Sequence, residues 1–155
     1  MEPDNVDISP AELGRHIVEA ASEAVIFADR GGFIRLWNRG AELLFGYPAV
    51  EALGRSLDII IPERLRAAHW DAFDRSVQMG HTKHVDRVLT TRSTHKNGDK
   101  LYVDLSFGLV KDEHGIVHGA FAIGRDCTAR HIEERTLRAR IEELEAKVDG
   151  ASRRA

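Results

Sequence analysis

Hydrophobic positions along this chain switch between helical and alternating spacing, and the switches mark its elements. Ser9-Pro10-Ala11-Glu12 has the pattern of a helix start, with Ser9 as N-cap, Pro10 at the first helical position and Glu12 closing a capping box. A short amphipathic helix through His16, Ile17 and Ala20 should follow. Ala24 to Ala28 has the character of a buried strand, Asp29-Arg30-Gly31-Gly32 of a turn, and Phe33 to Trp37 of the returning strand. Asn38 can cap a helix from Arg39 to Phe45, which Gly46 ends, and Pro48 to Leu53 is another short helical segment before Gly54. After Pro62 a longer helix carries His69 and runs to about Gly80.

Three strands are expected next: His84 to Thr91, Lys100 to Leu109, and Ile116 to Arg125. The first two meet across Lys96-Asn97-Gly98-Asp99, an Asn-Gly hairpin signal. Two strands, a block of short helices and three more strands imply an α+β domain, an antiparallel sheet with helices on one face. From Thr128 the pattern becomes that of a charged helix, in which Leu137, Ile141, Leu144 and Val148 repeat at four-three-four spacing. That is the seam of a coiled coil, about two heptads long. Two readings of it stand: a helix that pairs with a second copy, or an amphipathic helix folded back on the domain. The expected division is a disordered tail over 1–8, a cap helix over 9–22, a folded domain over 23–128, a helix over 129–149 and a disordered tail over 150–155.

At 155 residues there is room for one domain and an appendage. Hydrophobic residues at 43% and charged residues at 30% fit an ordinary globular protein, and a net charge of −3 gives no bulk case for nucleic acid or an anionic membrane as partner. The single cysteine, Cys127, excludes an internal disulfide and suits a reducing compartment. The acidic N-terminus lacks a signal pattern, and no apolar run approaches the roughly 18 residues of a membrane span, so a cytoplasmic location is expected.

Candidate chemistry centres on His69. At helical spacing it shares a face with Leu65, Ala72 and Phe73, and an imidazole directed into apolar surroundings must find a hydrogen-bond partner or bind something. His81 and His84 sit at a helix-to-strand junction, and His114 and His118 flank a turn; neither pair has the carboxylates or thiols that would complete a metal site. No phosphate loop, nucleophile elbow or His-Glu-x-x-His segment is present, so no enzymatic activity is expected.

Asn38-Arg39-Gly40-Ala41-Glu42-Leu43-Leu44-Phe45-Gly46-Tyr47, then Glu51-Ala52-Leu53-Gly54-Arg55, then Asn97-Gly98, then Gly124-Arg125-Asp126-Cys127-Thr128 together resemble the PAS sensor domain. The resemblance covers about residues 10–130. It implies a five-stranded antiparallel sheet, helices cupping a ligand pocket, and a signalling helix that leaves after the Asp-x-Thr pair Asp126 and Thr128. Cys127 departs from the aliphatic residue usual between them.

Within that family, Ile61-Pro62-Glu63 followed by Leu65-Arg66-x-x-His69 resembles the haem-binding PAS domains of FixL-type oxygen sensors. Carried over residue by residue, His69 becomes the axial ligand of haem b. Arg75 takes the place of an arginine near a haem propionate, with Lys83 a second candidate cation. Leu105 and Phe107 fall on the distal strand, and Phe73 and Val77 help wall the slot. The arginine that binds oxygen in those sensors aligns with Leu89, while Arg87 lies two residues earlier on the same strand face. Either Arg87 reaches the gas, or the distal side is wholly apolar and favours carbon monoxide or nitric oxide over oxygen. The flavin photosensors of the family carry an Asn-Cys-Arg-Phe-Leu segment that this chain lacks, so no flavin is expected. The resulting expectation is a haem-based sensor of a diatomic gas (oxygen, carbon monoxide or nitric oxide) or of redox state, acting as a homodimer through its C-terminal helix. The alternative is a PAS dimerisation module whose pocket is empty or holds a small organic or fatty ligand.

Overall fold

A computed structural model describes residues 8–154. Helix α1 (Pro10–Ala20) starts as its sequence dictates: the Glu12 amide donates to Ser9 Oγ, and the Glu12 carboxylate accepts from the Ser9 amide at 3.1 Å. Apart from Ile8, the tail expected over 1–8 lies outside the described residues. Strands β1 (Ala24–Asp29) and β2 (Ile34–Trp37) form the first hairpin, whose turn is held by Asp29 accepting from the amides of Gly31 and Phe33. Helices α2 (Arg39–Phe45) and α3 (Ala49–Ala52), and a single 3-10 turn at Leu57–Ile59, lead to α4 (Glu63–Met79). Gly46 and Gly80 adopt the left-handed conformation that ends α2 and α4. Strands β3 (Val88–Thr94), β4 (Lys100–Lys111) and β5 (Val117–Asp126) follow, then α5 (Thr128–Ser152).

The five strands form one antiparallel sheet in the order β2-β1-β5-β4-β3. Its inner face packs Ala24, Ile26, Val103 and Leu105 against Phe45, Ala52 and Ile60 of the helical side, and Ile34 and Trp37 join this core. A smaller cluster of Phe73, Val77 and Val117 seats the second half of α4.

Most element boundaries fall within two residues of expectation, and the larger differences are at β3 and α5. Strand β3 runs Val88–Thr94 instead of His84–Thr91, because the tight turn between His95 and Asp99 fixes the ladder from its closed end: Thr94 pairs with Lys100 and pairing ends at Val88–Ser106. Residues 84–87 form a turn instead, in which Asp86 takes a positive φ of 60° and the Arg87 amide donates to the His84 carbonyl. Helix α5 runs on through Ser152, past the expected end at 149, since Gly150 does not adopt the left-handed conformation that would stop it. Ala155 lies outside the described residues.

One polar side chain ties the N-terminal half together. Asn38 is 1% exposed and uses all of its hydrogen-bonding capacity. Its Oδ1 accepts from the amides of Val25 (2.8 Å) and Ala41 (2.9 Å), and its Nδ2 donates to the carbonyls of Val18 (2.8 Å) and Glu23 (3.0 Å). It caps α2 while anchoring α1 and β1. Asn38→Ala leaves four backbone groups short of a partner, and the expected cost is about 2–4 kcal/mol. A fall in the urea midpoint at unchanged m-value checks this.

Candidate functional site

The N-terminal half of α4 is fastened by polar contacts before its apolar face meets the sheet. Arg66 donates from Nε to the Ile61 carbonyl and from Nη2 to that of Asp58, and Trp70 Nε1 donates to Asp58 Oδ1 at 2.9 Å. The Trp70 indole lies over Gly32, where φ is 78° and a Cβ would collide with the ring, so only glycine serves there. This clamp presents His69, the residue before Trp70, to the interior. Its ring meets Trp70 edge-on at a centroid distance of 4.9 Å and stacks with Phe73 at 6.0 Å.

Between α4 and the inner face of the sheet lies a cavity in two lobes, and His69, Thr91 and Phe107 line both. The larger lobe, about 420 Å³, is walled by Ile26, Leu57, Ile60, Leu65, Leu105 and Ala122 among others. The smaller, about 230 Å³, is walled mainly by Ala72, Phe73, Leu89, Leu109 and Ala120, with Ser76, Thr82 and His84 as its polar members. Two such lobes sharing a divider are of the order of size of small-molecule and cofactor pockets.

His69 Nδ1 is enclosed and has no hydrogen-bond partner. Desolvation lowers the imidazole pKa below its ordinary value of 6.5, outweighing the opposing pull of Asp58 and Asp74. The ring is therefore neutral at pH 7, the form in which imidazole ligates a metal. Among the described residues no group of three or more His, Cys, Asp or Glu side chains is placed to hold a metal ion. Any metal at His69 would accordingly need to arrive with its other ligands.

Most of the expected site residues converge on this cavity. Phe73 and Leu89 line the smaller lobe, Leu105 the larger, and Phe107 both. Arg75 and Lys83 lie outside it, together in a cleft of about 50 Å³ that shares Ala72, Ser76, Thr82 and His84 with the smaller lobe. That places two cations beside its mouth. Val77 does not wall the slot; it packs behind Phe73 against Val117, one helical turn further along α4. Arg87 is not on the β3 face expected for it. It belongs to the exposed turn before the strand and borders an outer groove with Val85, Val88 and Phe107. Thr91 shares the face of Leu89 two residues earlier and was legible from strand alternation, whereas His84 was missed because it lies in the turn before β3 and not in the strand expected there. Ile60 and Ile61 were missed because a short apolar run after a 3-10 turn has no period that fixes its face.

A family model of the PAS fold matches residues 18–132. This chain belongs to the PAS family. It is 28% identical over 141 residues to the sensor protein FixL of Bradyrhizobium diazoefficiens, a match that covers 90% of this chain and 26% of FixL. The chain thus spans about a quarter of that relative's length. Among solved structures, it resembles the PAS domain of a Colwellia psychrerythraea protein, with a TM-score of 0.68 and 21% identity over 78% of this chain and 99% of that one. It also resembles an RNA-binding light-oxygen-voltage receptor, with a TM-score of 0.69 and 20% identity over 95% of this chain and 41% of that one. These structural likenesses establish the PAS fold.

The lowered pKa of His69 has a signed consequence. The folded chain binds this proton less readily than the unfolded chain, so the destabilising contribution is absent above pH 6.5 and grows as pH falls through the window down to the folded pKa. In the ligand-free protein, His69→Leu should flatten the decline in urea midpoint between about pH 7.5 and about pH 5.5. At the upper pH it should cost little or nothing, because it removes a buried nitrogen that has no partner.

Proposed function

We propose that this PAS module binds haem b in the cavity that His69 divides and reports a diatomic gas or redox state through α5. The observation that carries the reading is the His69 ring: neutral, enclosed at Nδ1, unpartnered, and set between two apolar lobes. His69 would hold the iron. Phe73, Leu89, Leu105 and Phe107 would face the macrocycle, with Val77 supporting Phe73 from behind. Arg75 and Lys83, in the cleft beside the smaller lobe, would be the cations for two propionates. Haem supplies an iron with a position open to a small gas; the protein supplies orientation, exclusion of water and the polarity of the distal side. Leu89 lies at the cavity wall and Arg87 in the outer groove, so neither of these two positions offers a donor to a bound gas, which favours carbon monoxide or nitric oxide over oxygen. Arg92, on the wall of the larger lobe with its Nε buried and unpartnered, is the donor nearest to hand.

The likeness to FixL supports haem, whereas the light-oxygen-voltage receptor shares only the fold. The cavity is lined by no cysteine: Cys127 is buried at the root of α5, and burial pushes its thiol pKa up. In this reading α1 is the cap helix, residues 23–128 form the sensor and α5 is the output, with no catalytic step. Among the described residues no helix is long and apolar enough to cross a membrane, which agrees with a cytoplasmic setting.

Titrating the purified chain with hemin tests the cofactor. Wild type should give a one-to-one complex with a strong absorption band near the blue edge of the visible and a raised melting temperature. At a concentration of about 1,000 times the dissociation constant the stabilisation amounts to about 4 kcal/mol, and His69→Ala should lose both signals. Equal hemin retention by the variant, or uptake of flavin mononucleotide in place of hemin, would overturn the assignment.

Pairing is the second part of the proposal. Leu137, Ile141, Leu144 and Val148 are 46–65% exposed, so the seam is not folded back on the domain. With Ile141 and Val148 at a and Leu137 and Leu144 at d, a parallel partner sets Glu133 against Arg138 and Arg140 against Glu145, opposite charges at both levels. The antiparallel pairing would oppose Arg140 to Lys147 at the g positions while joining Arg138 to Glu145 at the e positions, so its charges cancel where the parallel ones add. A parallel homodimer is expected, and Ile141→Glu with Leu144→Glu should dissociate it while hemin spectra stay unchanged, because the buried carboxylates would have no partner. Sedimentation decides: a wild type that stays monomeric at high micromolar concentration removes the coiled coil from the reading.

A further inference from the structure

The inner side chains of β3 belong to the cavity, and its outer ones reach the root of α5 through side chains of β4, most directly through one carboxylate. Leu89 and Thr91 line the lobes; Thr90, between them, points to the opposite face. There Thr90 Oγ1 donates to Asp104 Oδ1 at 2.6 Å, across the β3–β4 pair in which the two residues are directly opposite. The other oxygen, Asp104 Oδ2, accepts from Arg130 Nη2 at 2.6 Å. Arg130 is in the first turn of α5 and, counted back from Leu137, occupies a d position of the seam. It also lies 3.5 Å from Glu134, the following a position.

Beside this link runs a second contact between the same elements. Arg92 of β3 lies over the Tyr102 ring at 5.6 Å, and Tyr102 stacks on His131 of α5 at 3.8 Å. Beyond this root no residue of α5 is buried. The helix is attached to the domain by its first turn, where Thr128 Oγ1 accepts from the Tyr102 amide of β4 at 2.9 Å beside the Asp104–Arg130 pair, and only the latter is shared with Thr90 of the cavity strand.

We propose that Asp104 is a positioning residue that couples the place of β3 to the docking of α5. The inference rests on the sensory reading above and assigns its output path. A shift of β3 when the cavity fills or empties moves Thr90, and Asp104 cannot follow Thr90 without moving the oxygen pair that holds Arg130. Hydrogen bonds to Thr90 and Arg130 hold the Asp104 carboxyl below the usual carboxylate range, so it stays ionised at neutral pH and bridges both partners. While Arg130 is held to the sheet it is withheld from the seam; released, it and Glu134 are free to meet a second helix. Asp104 thereby sets how near to the domain two α5 helices can begin to pair.

Hydrogen exchange of the full chain tests this without presuming the cofactor. Thr90→Val removes only the hydroxyl, at a residue that does not touch α5. Amides of the first turns of α5 should exchange about tenfold faster in Thr90→Val and in Asp104→Asn, as local opening becomes easier. Thr90→Ser, which keeps the donor, should restore wild-type exchange. Core amides of β1 and β5 should be unchanged in all three. Unaltered α5 exchange in Thr90→Val, or equal acceleration across the core, overturns the link. In a second arm hemin is the probe: it should change α5 exchange in wild type and change it several-fold less in Thr90→Val. An equal hemin response in both proteins also overturns the link. Failure of hemin to bind overturns the haem reading alone, and the coupling is then decided by the Thr90→Val and Thr90→Ser pair.

Discussion

Strand β4 has to satisfy two surfaces at once. Its side chains alternate, so Leu101, Val103, Leu105 and Phe107 face the core and cavity while Tyr102, Asp104 and Ser106 face outward. A slip of one residue would exchange these sets, burying Asp104 and expelling Val103. Register is therefore the constraint on which cavity and output both depend. It is fixed at the closed end of the hairpin, where His95 donates to the Asp99 carbonyl, Gly98 takes a φ of 91° and the Asn97 side chain accepts from the Asp99 amide. On the other flank Gly124 lies so near the Asp104 carbonyl that a Cβ could not fit, which lets β5 approach β4 closely beside Leu105.

The cavity is where this otherwise well-satisfied structure departs from its own rules. Asn38 shows what the fold does with a buried amide when stability is the object: every donor and acceptor is matched. His69 receives the opposite treatment, with an enclosed nitrogen left unpaired beside open volume. An unmatched buried polar group costs about 1–3 kcal/mol, a sizeable part of the stability of a small domain. Conflicts of this kind collect at functional sites, where the missing partner is a ligand. The Asp58–Trp70 clamp and the Gly32 cradle hold the ring in this unfavourable position, so the site is organised before anything enters it.

The sequence made the elements of the fold legible because its signals are local. The Ser9 capping box, the Asn38 and Gly46 helix ends and the Asn97-Gly98 turn each lie within a few residues, and each is found in place. Period alone put His69 on the same face as Leu65, Ala72 and Phe73, and these residues do share the cavity. Arg87 failed for a non-local reason: whether it is strand or turn depends on counting the ladder back from a hairpin ten residues away, and apolar content around Val85 and Val88 does not reveal the count. Val77 was placed on the correct helix face but one turn too far along, since a helical wheel gives angle and not depth. The Thr90–Asp104–Arg130 link was illegible, because three polar residues from three elements carry no pattern until the sheet sets them side by side.

The form of α5 suits it to respond to small displacements. Two heptads are short for a coiled coil, so pairing is marginal and sits close to balance. A helix buried along its length would resist any signal the sheet could deliver; one attached by its first turn moves when that turn moves. Differential contact is what makes a ligand shift such an equilibrium, and tight binding without it shifts nothing. Leu89 and Thr91 can sense what fills the lobes, but they lie on the far side of the sheet from α5. Thr90 is the residue between them, and strand alternation alone carries its hydroxyl to the face where Asp104 and Arg130 meet. The same period of two that separates cavity from output also supplies the shortest covalent path from one to the other.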